Sequence, residues 1–450
     1  MPTIASDTTT QSLAAAPSST PPAKAGTIRE RRFDEIPISP EHGKCWIHSP
    51  LGWSPESHPT ILLVSGGQGG GHLSPMDAVS ESMLDETARI IYVDKAPVHS
   101  FKRHLLDHMR YTTSNTRLGA MIANHWRHRI SAPGKSRDVV RQTRSLIDQY
   151  QVDYVFTNHR FVAYALSEGL PDPIPLAVGL ADPGKVHQGW FVPRLKRNGG
   201  KGVLLATNEI TAAHAAKHGV PPKRIKPFGY PLRPEFARAA LANKEQIRQD
   251  LGIPEEYKRV LMMTAGNARD PGPLVDRIKP LLQHPEGKSL YVMVLAAGNA
   301  ELEGQLTTLG KELKASEQIR ILSKLDAGEM ANHMRASDLM AIQPGGGSIG
   351  ECFALGVVPI LWGEKSGIEH SNRRMVHQSN TGTVAFNWNR PWSKWTSFTQ
   401  AVFGDHDNAA MIQRQRPFVL PTAAQDIASF LLNEAQHLVD ERLRLSRGPD

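Results

Sequence analysis

Three stretches of this chain combine residue types and spacings suited to anion binding and proton transfer. The first is GGQGGGH at 66–72, which lies between an apolar run and a helical one. Such a turn cradles a phosphate with its backbone N–H groups, here around Gly69, Gly70 and Gly71. It lacks the Gly-Lys-Ser/Thr ending of a P-loop. His72 either caps the helix or meets a reacting hydroxyl. Asp94, about 20 residues on, ends the next apolar run and leaves a nicotinamide-dinucleotide site open. The second stretch is DPGKVHQGWF at 182–191. A carboxylate and an imidazole, Asp182 and His187, can together take a proton from a hydroxyl. The plain alternative is a loop whose Asp and His meet solvent. The third is QPGGGSIGECFALGVVPILWG at 343–363. A glycine turn feeding a helix N-terminus points free N–H groups and the helix dipole at one anion. Ser348 followed by Glu351 has capping-box spacing, so Ser348 is expected to cap the helix and Gly356 to end it. Glu369, His370 and Asn372, after the next strand, either bind hydroxyl groups or form a polar helix start.

These groups need a scaffold, and the hydrophobic pattern supplies one. Apolar runs ILLVSG, RIIYVD, VDYVFTN, IPLAVGL and GVLLATN alternate with helical stretches from residue 61 to the proline-rich GYPLRPEF at 229–236. One helix is expected from about 74 to 84. A second cycle follows, RVLMMTAG, LYVMVLAAG, IRILSKL, DLMAIQ and VVPILWG. Strand–helix alternation implies parallel sheets. The expectation is an α/β protein of two Rossmann-like doubly wound domains, 41–240 and 241–425, preceded by a tail at 1–40 and followed by a helix at 426–450. Ligands in such sheets sit beyond the carboxyl ends of the strands. The loops after Ser65, Asn158, Leu180, Gly266, Gly298 and Gln343 are therefore the ones that matter.

Composition narrows the classes. The 450 residues are 40% hydrophobic and 21% charged, as in a globular protein. No apolar run reaches the roughly 18 residues of a membrane span. The net charge of +8 suits nucleic acid, anionic lipid or a phosphate-bearing ligand. No nucleic-acid module or stacking platform is present, which sets nucleic acid aside. The stretch 100–130 mixes arginines with Leu, Met and Trp, and such a face either lies on an anionic bilayer or is simply solvated. Cys45 and Cys352 make neither a disulfide framework nor a zinc site, so a reducing compartment is the default. The first 27 residues, rich in Thr, Ser, Ala and Pro, read as disordered and not as a secretory signal.

Taken in order, these pieces resemble the family-28 glycosyltransferases, above all the monogalactosyldiacylglycerol synthases and related processive diacylglycerol glycosyltransferases. The peptidoglycan lipid-intermediate N-acetylglucosamine transferase is a more distant likeness. The marks are GGGH ending at His72, DPGKVHQGWF, GYPLRPEF, VLAAGNAEL from Val294, QPGGGSIGECFALGVVPIL, and the E-x-x-N of Glu369 and Asn372. The resemblance implies a GT-B fold with an acceptor-binding N-terminal domain and a C-terminal domain that binds a nucleotide sugar, a UDP-sugar. It places His72 by the acceptor hydroxyl and the donor phosphates, with Asp182 and His187 on the acceptor side as base candidates. It places Gly266 and Asn267 at the diphosphate, and Gly346, Gly347 and Ser348 at the diphosphate or ribose. Glu351 would meet the ribose hydroxyls, and Glu369 and Asn372 the sugar. It implies inversion at the anomeric carbon, no bound metal, no cofactor beyond the UDP-sugar co-substrate, and a cytoplasmic enzyme peripheral at an anionic membrane. The chain departs from the family at TAGNARDPGP (264–273), Lys185, Val186, Trp362 and Gly363. A soluble natural-product acceptor and a nucleotide-sugar 2-epimerase are the alternatives.

Overall fold

A computed structural model describes residues 33–36, 44–66, 70–84, 87–94, 132–186, 190–197, 199–264, 272–362, 367–385 and 394–447. Two sheets organise them. The first contains β1 (Asp34–Ile36), β2 (Lys44–His48), β3 (Thr60–Val64), β4 (Arg89–Asp94), β5 (Tyr154–Thr157), β6 (Leu176–Gly179), β7 (Gly202–Ala206) and β8 (Ile225–Pro227), in the order β1-β2-β4-β3-β5-β6-β7-β8. Strands β3 to β8 run parallel, and β2 joins β4 antiparallel. The second sheet contains β9 (Arg259–Thr264), β10 (Leu290–Leu295), β11 (Ile319–Leu322), β12 (Leu339–Ile342), β13 (Val358–Leu361) and β14 (Thr383–Val384). Its order is β11-β10-β9-β12-β13-β14, all parallel.

The apolar runs are unbroken because both faces of each sheet are covered. Successive side chains point to opposite faces. In β3, Leu62 and Val64 enter one core while Ile61 and Leu63 enter the other. In β9 the same alternation splits Val260 and Met262 from Leu261 and Met263. Each fully buried Leu or Ile contributes about 2 kcal/mol. Cys45 and Cys352 are free and buried, one in each half.

The chain crosses between the sheets at Phe228 and Tyr230, which pack into the first and second domains respectively. It returns through the helix Ala423–Arg447, whose Ile427, Ala428 and Leu431 pack on the face of β3. Arg442 fastens the far end of that helix, donating to Asp153 at 2.9 Å and to the Pro55 carbonyl at 3.1 Å. Among the described residues no helix is long and apolar enough to cross a membrane.

Several expectations are corrected. β1 lies inside the stretch 1–40 expected as tail, and β2, β8 and β14 are further strands without a legible pattern. β1, β8 and β14 have two or three residues each, too few for a period of two to show. The helix expected at 74–84 is Gly70–Glu81, so the end of the glycine turn is already helical. The basic stretch 100–130 lies outside the described residues.

Candidate functional site

Strand order locates the site first. In the first sheet β3 is flanked by β4 and β5, so successive connections depart in opposite directions there. In the second sheet β9 is flanked by β10 and β12 with the same consequence. Crevices at such reversal points, beyond the strand carboxyl ends, are the ligand sites of open α/β sheets. Around the first lie Ser65 and Gly66 after β3, and Asn158 and His159 after β5. Gln343 to Gly347 after β12 line the second.

The two crevices meet. The turn after β6 reaches across to the turn after β12 and to the helix Gly367–Ser379. Asn372, fully buried, donates from Nδ2 to Asp182 Oδ1 at 2.8 Å and to the Pro344 carbonyl at 3.1 Å. Its Oδ1 accepts the Gly184 N–H at 3.1 Å. Beside it Ser371 Oγ donates to the Lys185 carbonyl at 2.7 Å. The approach is closest at Gly346, where an added Cβ would stand 2.2 Å from the Ala181 carbonyl oxygen. Helix Gly346–Leu355 also contacts Gly70–Glu81 across the domains.

The turn after β6 is braced from behind. Thr207 Oγ1 donates to the Asp182 carbonyl and Asn208 Nδ2 to the Pro183 carbonyl, both at 2.9 Å. Asn208 also caps the helix Glu209–Lys217 in a reciprocal box with Thr211. From that helix His214 Nε2 lies 3.0 Å from the Val186 carbonyl. Burial lowers the His214 pKa, which favours the neutral ring and leaves Nε2 to donate.

The helix Gly346–Leu355 corrects one local expectation. Its N-cap is Gly345, with no side-chain cap, and Ser348 sits in the first turn. Glu351 therefore lies a turn too far along to complete a capping box. The other end is as expected, with Gly356 at φ 63° closing the helix. Glu351 instead faces the crossing segment, with Arg233 Nη2 3.5 Å from its Oε1. Burial pushes its carboxyl up to about 7, with Arg233 pulling the other way. Tyr230 packs its ring on Gly350, and its hydroxyl is buried with no hydrogen-bond partner among the described residues. Burial raises that hydroxyl's pKa well above the usual range, and the Glu351 and Asp182 carboxylates add to the effect. Two of the expected site carboxylates thus act on one buried phenol.

The expected residues sort accordingly. Asp182, Gly346 and Asn372 come together at the domain seam, and Glu351 lies near them through Tyr230. Gly347 and Ser348 complete the first turn of the same helix. Glu369 is half-buried, one turn before Asn372 on the same helix face. Gly70, Gly71 and His72 form the first turn of Gly70–Glu81, but their side chains are not described. Gly69, His187, Gly266 and Asn267 lie outside the described residues. Sequence reasoning missed His159, Thr207, Asn208, Tyr230 and Arg233 as site residues. Only Tyr230 and Arg233 carried a signal, as members of GYPLRPEF. No group of three or more His, Cys, Asp or Glu among the described residues could hold a metal ion.

Two doubly wound domains docked with their strand ends together define the GT-B fold, and solved structures agree. MurG of Acinetobacter baumannii superposes with a TM-score of 0.57 at 14% identity, covering 83% of this chain and 99% of that one. The UDP-GlcNAc 2-epimerase of Neisseria meningitidis, solved bound to UDP-GlcNAc, gives 0.53 at 12%, covering 83% and 100%. By sequence the chain is similar to the chloroplastic monogalactosyldiacylglycerol synthase of Spinacia oleracea, 24% identical over 359 residues, which are 73% of this chain. It is likewise 23% identical over 421 residues to a probable monogalactosyldiacylglycerol synthase of Nicotiana tabacum, covering 86% of this chain and 72% of the relative. The match spans 64% of the length of the spinach protein. No protein-family profile matches the chain.

Proposed function

We propose that this protein is an inverting glycosyltransferase that moves a sugar from a UDP-sugar to a hydroxyl of a diacylglycerol-like lipid at a membrane surface. The observation that carries the reading is the docked pair of switch-point crevices, in a chain similar over most of its length to monogalactosyldiacylglycerol synthases. The acceptor enters from the first domain and the donor from the second. A base at His72, Asp182 or His187 takes the acceptor proton as the hydroxyl oxygen attacks the anomeric carbon from the face opposite UDP. The departing diphosphate is held by N–H groups at the helix N-termini beginning at Gly70 and Gly346, which supply positive potential without a bound metal. Gly266, Asn267, Gly347 and Ser348 belong to this donor side, and Gly69 and Gly71 to the phosphate turn. The Glu351 carboxylate accepts the ribose hydroxyls. Glu369 orients the sugar, and Asn372 acts at the same place by holding the domains around it. The protein works as a peripheral enzyme on the cytoplasmic face of an anionic membrane.

The test is a panel of UDP-sugars, each incubated with a membrane-lipid extract and read by mass spectrometry, with the anomeric configuration of the product read by NMR. A hexose mass gain on a lipid, with inversion, is the expected result. Transfer only to soluble acceptors, with no liposome co-sedimentation at any salt concentration, overturns the lipid part. The epimerase among the similar structures favours one second reading, nucleotide-sugar 2-epimerisation. Conversion of the donor alone to its epimer would establish it instead.

A further inference from the structure

The first crevice holds a contact that none of the assigned roles uses. His159 follows β5 at its carboxyl end, is 4% exposed, and occupies the N-cap position of Arg160–Gly169 without capping it. Its ring lies directly over the Cα of Gly66. A Cβ added at Gly66 would stand 2.1 Å from His159 Cγ, 2.3 Å from Cδ2 and 2.4 Å from Nδ1. Cγ is the root of the ring, so no swing of a flexible tip relieves that overlap. The backbone beneath is equally tied. Ser65 N–H donates to the Val93 carbonyl at 2.8 Å, and His159 N–H donates to Thr157 Oγ1 at 3.2 Å. The Phe161 ring, tilted by 47° with its centroid 5.8 Å away, backs the imidazole. Gly66 is the last described residue before the helix that carries His72 in its first turn.

We propose that His159 is a positioning residue for the transfer reaction: its ring, seated on Gly66, fixes the point at which the chain leaves β3 ahead of the helix that carries His72. The contact sits at the switch point itself, between adjacent strands β3 and β5. A shift of the chain where it leaves β3 displaces the start of the following helix, Gly70–Glu81. The proposal rests on the transferase reading above, and the contact can be tested separately from that reading. The packing pair stands or falls on stability alone, and the positioning role on turnover.

The experiment compares wild type with Gly66→Ala, His159→Ala, His159→Phe and the double variant Gly66→Ala/His159→Ala. Each is followed by thermal midpoint, by calorimetric UDP affinity, and by kcat and KM with the UDP-sugar that the panel identifies. Gly66→Ala is expected to lower the midpoint and to cut kcat about 100-fold, the scale of a misplacement near 1 Å. Removing the ring in the double variant makes room for the new methyl and recovers both in part. His159→Ala alone lowers kcat about tenfold and weakens UDP affinity by less, about threefold, because the helix N-terminus at Gly346 still holds the diphosphate when the one at Gly70 shifts. His159→Phe, which keeps a ring over Gly66, retains most of the turnover. A double variant no better than Gly66→Ala in midpoint refutes the packing pair. An unchanged kcat in His159→Ala refutes the positioning role. A His159→Phe variant as slow as His159→Ala assigns the ring nitrogens a direct part and overturns positioning by shape. Wild type that neither binds UDP nor transfers a sugar removes the transferase reading and the positioning role with it, while the midpoints still judge the packing pair.

Discussion

The two crevices use glycine in the same place and for different reasons. In the first domain Gly66 lies under His159, a side chain of its own sheet. In the second, Gly346 lies under the Ala181 carbonyl and Asp182, which belong to the other domain. The first crevice is therefore shaped as soon as its domain folds. The second takes its shape only when the domains dock. Close packing makes both contacts intolerant of a single methyl, but the consequences travel differently. A change at Gly66 acts within one domain, and a change at Gly346 acts on the seam.

The largest effect expected on this contrast is chemical. His72→Ala should lower turnover about 1,000-fold, within the usual range for an acid–base group, and leave circular dichroism and thermal midpoint unchanged. Normal turnover would remove the first crevice from the chemistry. Gly346→Ala should cost about 100-fold in turnover by forcing the seam open. Small-angle scattering should then show a larger radius of gyration, which Gly66→Ala should not. Equal expansion in both variants would erase the distinction between the crevices.

Asn372→Ala tests the seam without adding volume. It removes one donor from the buried Asp182 carboxylate and the acceptor of the Gly184 N–H. A loss of about 2–3 kcal/mol in urea unfolding is expected, together with a broadened or split transition as the domains uncouple.

Glu351 gives the pH dependence. Its carboxyl is raised in the folded protein from 4.5 to about 7. The folded state thus holds the proton more tightly than the unfolded one. The stability this confers is full below 4.5 and is lost as pH rises through about 7. Glu351→Gln should accordingly match wild type at pH 4 and exceed it above pH 7 by at most about 3 kcal/mol. Ribose hydroxyls need the ionised form as acceptor, so wild-type UDP affinity should be about tenfold weaker at pH 6 than at pH 8. A flat calorimetric profile would take Glu351 out of the ribose contact. The smallest effect belongs to the return helix. Arg442→Met should cost about 1–2 kcal/mol in urea unfolding, because Arg442 is 47% exposed but its partner Asp153 is 6% exposed and loses a charged donor.

Much of the scaffold was legible because its signals are local. Unbroken apolar runs marked ten strands, and glycine turns after β3 and β12 marked both crevices. The capping-box reading of Ser348 and Glu351 failed for a physical reason. The helix starts at Gly346, pressed against the other domain, and the carboxylate finds Arg233, 118 positions away in the chain. Asn372 was expected at a sugar, yet its amide joins the two domains, a partnership no local spacing encodes. His159 was passed over because its neighbour Gly66 is distant in sequence, and the loop after Asn158 carries no motif.

The sequence by itself determined the two alternating cycles, the parallel sheets, and which loops end at the strand carboxyl termini. Those properties follow from side-chain period and backbone hydrogen bonding within a few residues. Only the tertiary structure decided which groups meet: Asp182 with Asn372, Glu351 with Arg233, Tyr230 with Gly350, His159 with Gly66. Burial sets the energy of each such meeting, and burial belongs to the docked domains and not to any one segment.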